Sequence, residues 1–474
     1  MVCYNVFWRE YRRNEKVLKK KVLKQNNLLR LQKRLAVMML ALTFGLGTGC
    51  GKADDGADGT ASSEVAVSTD AQTDAGAEEE NGQESKKDND ESYAEGTYSS
   101  DAYDVAEFTA EPRKKTDEEG NRGVYYEIFV RSFADSDGDG IGDLNGVTEK
   151  LDYLQELGID GIWLMPITAS DTYHGYSVTD YVTVNPDYGT EDDLKRLLDE
   201  AHSRDMKVII DLVINHTSIN HPWFQAAKSH ENSEYRDYYR WVYKTDKKDC
   251  NHLLDKSSWG DMVWHQEGDF YYYGVFGADM PDLNYNNPDV RQAAKDAAGH
   301  FLELGLDGFR MDAAVHIYGA HEFKQQEDSE AANITWWNEF AGYCESINPD
   351  VYLVGEVWQD DKVLENYVQP FDTKFDFAIQ QKMLNCVQKG MAVPGFGDSL
   401  SVAIENIQNK YDGVDANYLN GVFGANHDQD RIASSVNSLD KARQIAAVYM
   451  TLPGNPYIYL SLIHISEPTR RVVI

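Results

Sequence analysis

The chain has 474 residues, room for one large domain or two to three ordinary ones, and carries a formal net charge of -34. That balance excludes a nucleic-acid partner, because clustered Lys and Arg are needed to displace counterions from phosphates. The charge is uneven: residues 1–34 hold eleven Lys or Arg against two Glu, whereas residues 51–112 hold eighteen Asp or Glu against three Lys.

In chain order, the basic stretch ends at Lys33-Arg34 and an apolar run from Leu35 to Gly47 follows. The run is too short to span a bilayer but has the length of a secretory apolar region. Small residues precede Cys50, so residues 1–50 read as a lipoprotein-type signal peptide, with Cys50 acylated and the protein anchored to the outer face of the cell membrane. An ordinary signal peptide with an incidental cysteine is the alternative, and Gly47 stands where lipoprotein signals usually carry Leu. Cys250, Cys344 and Cys386 are then left, an odd number without metal-ligand spacing, and no disulfide framework follows. Residues 51–115 are Asp, Glu, Ala, Ser and Gly with few apolar residues, which predicts a disordered, solvated acidic tether.

From Gly123 onward, short apolar or β-branched runs alternate with helical patterns, which is the texture of a βαβ series over residues 116–460. Eight strands are expected, starting at Val124, Gly161, Lys207, Gly308, Val351, Phe375, Gly421 and Tyr457. The fold class is therefore α/β, a (β/α)8 TIM barrel with a subdomain inserted after the third strand. An open doubly wound sheet is the alternative, but no Gly-rich phosphate fingerprint follows the first strand.

After the first strand, "DSDGDGIGD" puts Asp135, Asp137 and Asp139 at alternate positions, then Ile141 and Asp143. This is the spacing of a Ca2+ loop, in which Ile141 would offer its carbonyl. Gly146 occupies the twelfth position in place of a bidentate Glu, and a solvated acidic turn is the alternative. The insertion over residues 217–290 is rich in Trp, Tyr and His. It reads as a subdomain walling a cleft, although most of its aromatics are expected to form its own core.

Acidic residues sit at the ends of separate candidate strands: Asp211, Asp312, Glu356 and Asp428. A barrel gathers such ends on one face. A retaining glycosidase needs two carboxyl groups roughly 5 Å apart, one attacking the anomeric carbon and one protonating the departing oxygen. Arg310 lies two residues before Asp312, on the same side of an extended strand, where it would keep Asp312 ionised. Glu356 follows an apolar run whose burial would raise its pKa for acid work.

The segments "DLVINH", "GFRMDAAVH", "GEVW" and "NHD", together with "GIWLMP" and "MPDLN", resemble the hallmark regions of the α-amylase superfamily, glycoside hydrolase family 13, from about Gly123 to Tyr459. The resemblance implies Asp312 as nucleophile, Glu356 as general acid/base and Asp428 as transition-state stabiliser. It also implies Tyr176, His216, Arg310, His316 and His427 as substrate-binding residues; His174 is either another or a core histidine. Asn215 matches an Asn that binds calcium in many relatives, and loops like that at Asp135 occur in oligosaccharide-cleaving members.

The implied activity is hydrolysis of α-1,4-glucosidic bonds in starch or maltooligosaccharides, with an α-glucosidase, an oligo-1,6-glucosidase or a non-catalytic glucan-binding lipoprotein as alternatives. Val315-His316 stands where many α-amylases carry Lys-His, which leaves room for shorter substrates. Ala313 looks more like α-1,4 than α-1,6 enzymes. Past Tyr459 the family pattern stops within the eighth strand. Residues 461–474 read as a non-native tail in place of the last helix and the C-terminal β-domain.

Overall fold

In a computed structural model, eight short parallel strands stand side by side: β1 Tyr125–Ile128, β2 Gly161–Leu164, β3 Lys207–Leu212, β4 Gly308–Met311, β5 Tyr352–Gly355, β6 Thr373–Lys374, β7 Gly421–Phe423 and β8 Asn455–Tyr459. Their spatial order is β6-β5-β4-β3-β2-β1-β8-β7, and a parallel bridge between Phe375 and Gly421 joins the two ends into a (β/α)8 barrel. The structure describes residues 108–113, 121–244, 253–319, 326–359, 361–389, 400–416 and 418–460. The expected signal peptide with Cys50, most of the expected tether, and the tail over 461–474 lie outside the described residues.

Strand side chains alternate between two apolar environments, which is why the strand sequences are apolar almost throughout. Tyr125, Trp163, Ile209, Tyr352, Val354, Phe375, Phe423 and Tyr457 fill the barrel interior as one cluster. Tyr126, Ile128, Ile162, Leu164, Val208, Ile210, Phe309 and Leu353 face the surrounding helices in another. The helix Glu191–His202 shows how a helix is fixed to this surface. Thr190 and Asp193 form a reciprocal capping box, and Leu194, Leu197, Leu198 and Ala201 bury one face. Each buried Leu contributes ~1.5–3 kcal/mol.

The sixth strand departs from expectation. The run from Phe375 alternates like a strand, but the strand proper is Thr373–Lys374, and Phe377–Lys389 is a helix. Asp376 explains the break, because its Oδ1 accepts the Ile379 N–H at 2.8 Å and thereby caps the helix. The end of the expected tether differs too. Arg113 is buried with Nε 2.6 Å from Glu345 and Nη1 2.9 Å from Asp372, and Phe108 stacks on Tyr318. Phe108 and Arg113 are therefore packed on the barrel, while Thr109, Glu111 and Pro112 stay exposed.

Between β3 and β4 the chain forms a helix, Pro222–Ser229, and a three-stranded antiparallel sheet with Phe270–Tyr273 between Trp241–Tyr243 and Trp264–Glu267. Phe224 stacks on Trp241 and meets Tyr239 and Tyr272 edge-on, and these rings are continuous with the core outside the barrel, whereas Val242, Val263, Trp264, Tyr273 and Val275 form a cluster of the insertion's own. A bridge from His216 to Asp282, and the Leu283 N–H donated to the Asn215 carbonyl at 2.9 Å, hold it to the end of β3.

Candidate active site

The carboxylates converge at the C-terminal ends of the strands. Asp211 lies in β3, Asp312 directly follows β4, Glu356 directly follows β5, and His427-Asp428 follow β7. Inward alternation along β4 points both Arg310 and Asp312 into the barrel. Arg310 is fully buried. Its Nη1 lies 2.6 Å from Asp211 and 2.5 Å from Asp312, and its Nη2 lies 3.0 Å from Glu356.

This arrangement alters the expectation for Arg310, which serves three carboxylates instead of Asp312 alone. Burial outweighs its attraction at each of them. Asp312 and Asp211 are pushed up to about 6, and Glu356 to about 7. The ordering between Asp312 and Glu356 still favours an ionised Asp312 beside a protonated Glu356 near neutral pH. Glu356 Oε2 also accepts the Ala313 N–H at 2.9 Å. Ala313 has φ 49°, in the left-handed region, and this turn directs its amide at Glu356.

A second cluster surrounds His427. Its Nδ1 lies 2.6 Å from the buried Glu127, and its Nε2 lies 3.1 Å from Asp428 and 2.5 Å from the Tyr176 hydroxyl. Burial works against a charged imidazole, but Asp428 and Glu127 together hold its pKa well above the usual value. Asp428 faces solvent at the mouth. Its carboxyl, opposed by burial, is held below the ordinary value by His427.

Tyr176 joins the two clusters. It stacks on the His427 ring at 5.4 Å, and its hydroxyl donates to Asp211 at 3.0 Å. Gly175 lets the chain reach this position: its φ is +88°, and a Cβ there would meet the Pro166 carbonyl oxygen at 2.9 Å. His216 accompanies Tyr176 indirectly, with Nε2 3.1 Å from its carbonyl oxygen, and burial lowers this imidazole to about 4, keeping it neutral. His174 also stacks on Tyr176, with ring centroids 5.9 Å apart.

His316 stands outside the Arg310 cluster, with its ring edge-on to Trp259 and Phe276. Two buried groups join the site beyond the residues picked from sequence, Glu127 and Trp163, whose indole N–H donates to Asp211 at 3.2 Å. Glu127 carries the only charge in the run "VYYEIFV", and that was its signal.

In the acidic loop, oxygen atoms of Asp135, Asp137 and Asp143 lie within 4.8 Å of one another, a donor set suited to a hard cation. Asp135 also accepts the Gly138 and Gly140 N–H groups, which lower its pKa. Gly138 and Gly140 both take positive φ, so the loop can curl around this point. Asp139 is not part of the group; its Oδ1 accepts the Ile141 N–H at 2.7 Å instead. Asp143 caps the following helix through the Gly146 N–H and binds Ser136. The Asn215 Oδ1 is buried without a hydrogen-bond partner, which is also suited to a cation.

A parallel barrel with clustered carboxylates at the carboxyl ends of its strands defines the class, an enzyme-type (β/α)8 barrel with an inserted cleft wall. Residues 127–461 match the alpha amylase catalytic domain, and the chain belongs to that family. It is 43% identical over 339 residues to alpha-amylase 3 of Dictyoglomus thermophilum, covering 71% of this chain and 62% of that protein. It is 35% identical to a 4-alpha-glucanotransferase of Thermotoga neapolitana, covering 71% of this chain and 70% of that one. The crystal structure of an alpha-amylase from H. orenii superposes with TM-score 0.63 at 44% identity, over 72% of this chain and 69% of that one.

Proposed function

We propose that this protein is a retaining glycoside hydrolase that cleaves α-1,4-glucosidic bonds in starch or maltooligosaccharides. The observation that carries the reading is the sharing of the buried Arg310 guanidinium among Asp211, Asp312 and Glu356 at the carboxyl ends of neighbouring strands.

In the first step an Asp312 oxygen attacks the anomeric carbon while Glu356 gives its proton to the glycosidic oxygen. A glycosyl ester forms on Asp312 and the shortened glucan departs. Glu356 is left ionised beside Arg310 Nη2, which stabilises the charge. It then takes a proton from the water that attacks the same carbon, releasing Asp312. The Asp428 carboxylate faces the positive charge that develops on the ring, and the Tyr176 ring offers an apolar face to the sugar.

Asp135, Asp137 and Asp143 would hold a Ca2+, with the Ile141 carbonyl as a further oxygen. Its contribution would be to fasten the loop after β1. The basic stretch, apolar run and Cys50 support placement on the outer face of the membrane through a lipid anchor.

A product profile on amylose tests the reading: internal cleavage abolishes iodine staining early, whereas terminal trimming releases glucose with the stain retained. Val315 in place of a lysine favours a second reading, trimming of short oligosaccharides. An oligo-1,6-glucosidase of Bacillus cereus is 33% identical over 71% of this chain, and the same profile with isomaltose as substrate separates the two.

A further inference from the structure

We infer that the Arg240 guanidinium is the centre of a binding site for a small oxyanion, of the phosphate or carboxylate class, at the seam between the insertion and the loop that follows Asp312. The inference uses residues outside the Arg310 cluster and does not rest on the hydrolase reading.

Two arginines of the insertion, Arg236 and Arg240, are both buried, and they are used differently. The Arg236 guanidinium lies over the rings of Trp241 at 3.7 Å and Phe270 at 4.2 Å, and its Nη1 donates to the Ala227 carbonyl at 2.9 Å. Its Nε and Nη2 lack hydrogen bonds, but those two π-faces meet its charge. Arg240 is 7% exposed, and its Nε and Nη2 have no hydrogen-bond partner. These two nitrogens lie on one edge of the guanidinium plane, where their N–H bonds run parallel and are spaced to meet two oxygens of one anion. Arginine keeps its charge throughout the physiological pH range, so burial here cannot be relieved by losing a proton.

The backbone of Arg240 belongs to the insertion, between the turn Arg236–Tyr238 and the strand Trp241–Tyr243, and its carbonyl accepts the Tyr273 N–H at 3.1 Å. Its charge bears on the barrel side. Burial raises the pKa of the Tyr318 hydroxyl, while the charges of Arg291 and Arg240 work against the rise. Tyr318 stands in the loop that begins at Asp312: its N–H donates to Asn333 Oδ1 at 3.1 Å, and Asn333 Nδ2 donates to the Val315 carbonyl at 2.9 Å. Glu339, the carboxylate that also acts on Tyr318, already takes Lys295 Nζ at 2.9 Å and Arg291 Nε at 3.4 Å. Arg240, Arg291 and Lys295 therefore share one carboxylate, a local surplus of positive charge in a chain of net charge -34.

An oxyanion answers both the charge and the fork. Two of its oxygens accept from Nε and Nη2, the bidentate pairing through which a buried guanidinium recovers what it lost on leaving water. A halide meets the charge but not the fork, and binds less tightly. Because Arg240 belongs to the insertion and Tyr318 to the loop after β4, the bound anion ties together two of the segments that wall the cleft.

Calorimetric titration of the full-length protein with sodium sulfate, and separately with sodium acetate, tests the site at an ionic strength held constant with sodium chloride. One saturable site is expected, and the tighter of the two anions shows whether a free tetrahedral oxyanion or a carboxylate is preferred. Arg240→Met keeps the apolar stem and removes the charge, whereas Arg240→Lys keeps the charge and removes the fork. Each should weaken binding by about tenfold or more. The anion should also raise Tm saturably in the wild type. Concentrated sulfate stabilises proteins in general, but that effect does not saturate and is shared by the variants. If neither anion binds the wild type, the inference is overturned. Equal affinity in Arg240→Lys, or an equal rise in its Tm, overturns it as well, and this variant decides alone if Arg240→Met does not fold.

Discussion

Arg310 and Asp211 form a fully buried ion pair at 2.6 Å in which the carboxylate belongs to β3 and the guanidinium to β4. Asp211 is thus a competitor of Asp312 for one cation, and its own charge pushes the Asp312 pKa up. Asp211→Asn is expected to lower that pKa, so the acid limb of the kcat/KM profile moves to lower pH. Stability should fall by about 1–3 kcal/mol, because the Trp163 and Tyr176 donors lose a charged acceptor. A profile unmoved on its acid side would show that the pair does not act on Asp312.

The unaltered site sets the pH window itself. The proposed mechanism needs Asp312 ionised and Glu356 protonated, and burial pushes the first up to about 6 and the second to about 7. Activity is therefore expected to fall below about pH 6 as Asp312 gains its proton, and above about pH 7 as Glu356 loses its own. Measured kcat/KM against pH on a maltooligosaccharide should give a narrow bell.

Glu356→Gln removes a proton donor, and the need for one depends on the leaving group. Hydrolysis of maltooligosaccharides should drop by about 10²–10⁴-fold. α-Glucosyl fluoride, whose fluoride departs without help, should still load Asp312 and give a fluoride burst followed by slow turnover. Asp312→Asn should abolish the burst. A burst in the Asn variant would remove Asp312 from the nucleophile role.

Glu127→Gln keeps the shape at His427 but takes away one of its two charges. Glu127 and Asp428 both raise the His427 pKa, so the variant should carry a less basic, less firmly oriented imidazole. A fall in kcat is expected with it. The distinguishing readout is the His427 titration by NMR, which should move to lower pH; an unmoved titration would mean that Glu127 only packs.

Calcium is tested by stability. If the Asp135 loop holds the ion, saturation at a hundredfold excess over Kd adds about 2.7 kcal/mol. Chelation should then lower Tm in the wild type and leave Tm unchanged in Asp135→Ala. Equal Tm with and without chelator in the wild type would reduce the loop to a turn.

Much of the barrel was legible because a strand buried on both faces writes a continuous apolar run, as in "GIWLM" and "KVIIDLVIN". The sixth strand was not, since two residues are too few to carry a period, and the neighbouring Phe-Asp-Phe imitates one while Asp376 begins a helix. The site carboxylates were legible as charges that interrupt apolar strand ends. What escaped were the relationships that exist only once the barrel closes. Glu127 meets His427 from 300 residues away, and no local pattern announces a pair so distant. Arg310 looked like a private partner of Asp312 because spacing along one strand says nothing of Asp211 on the next.

The left-handed turn at Ala313 reaches into the engineering of this site. Side chains at this position are an inviting handle for changing which glucosidic linkage is accepted, and Val is the obvious replacement. A β-branched residue tolerates φ near 49° poorly, so Val would twist the peptide whose N–H holds Glu356. A single graft at 313 would therefore detune the acid before it retuned the pocket. A library that varies position 313 alone therefore tests the turn that holds Glu356 as much as the pocket beside it.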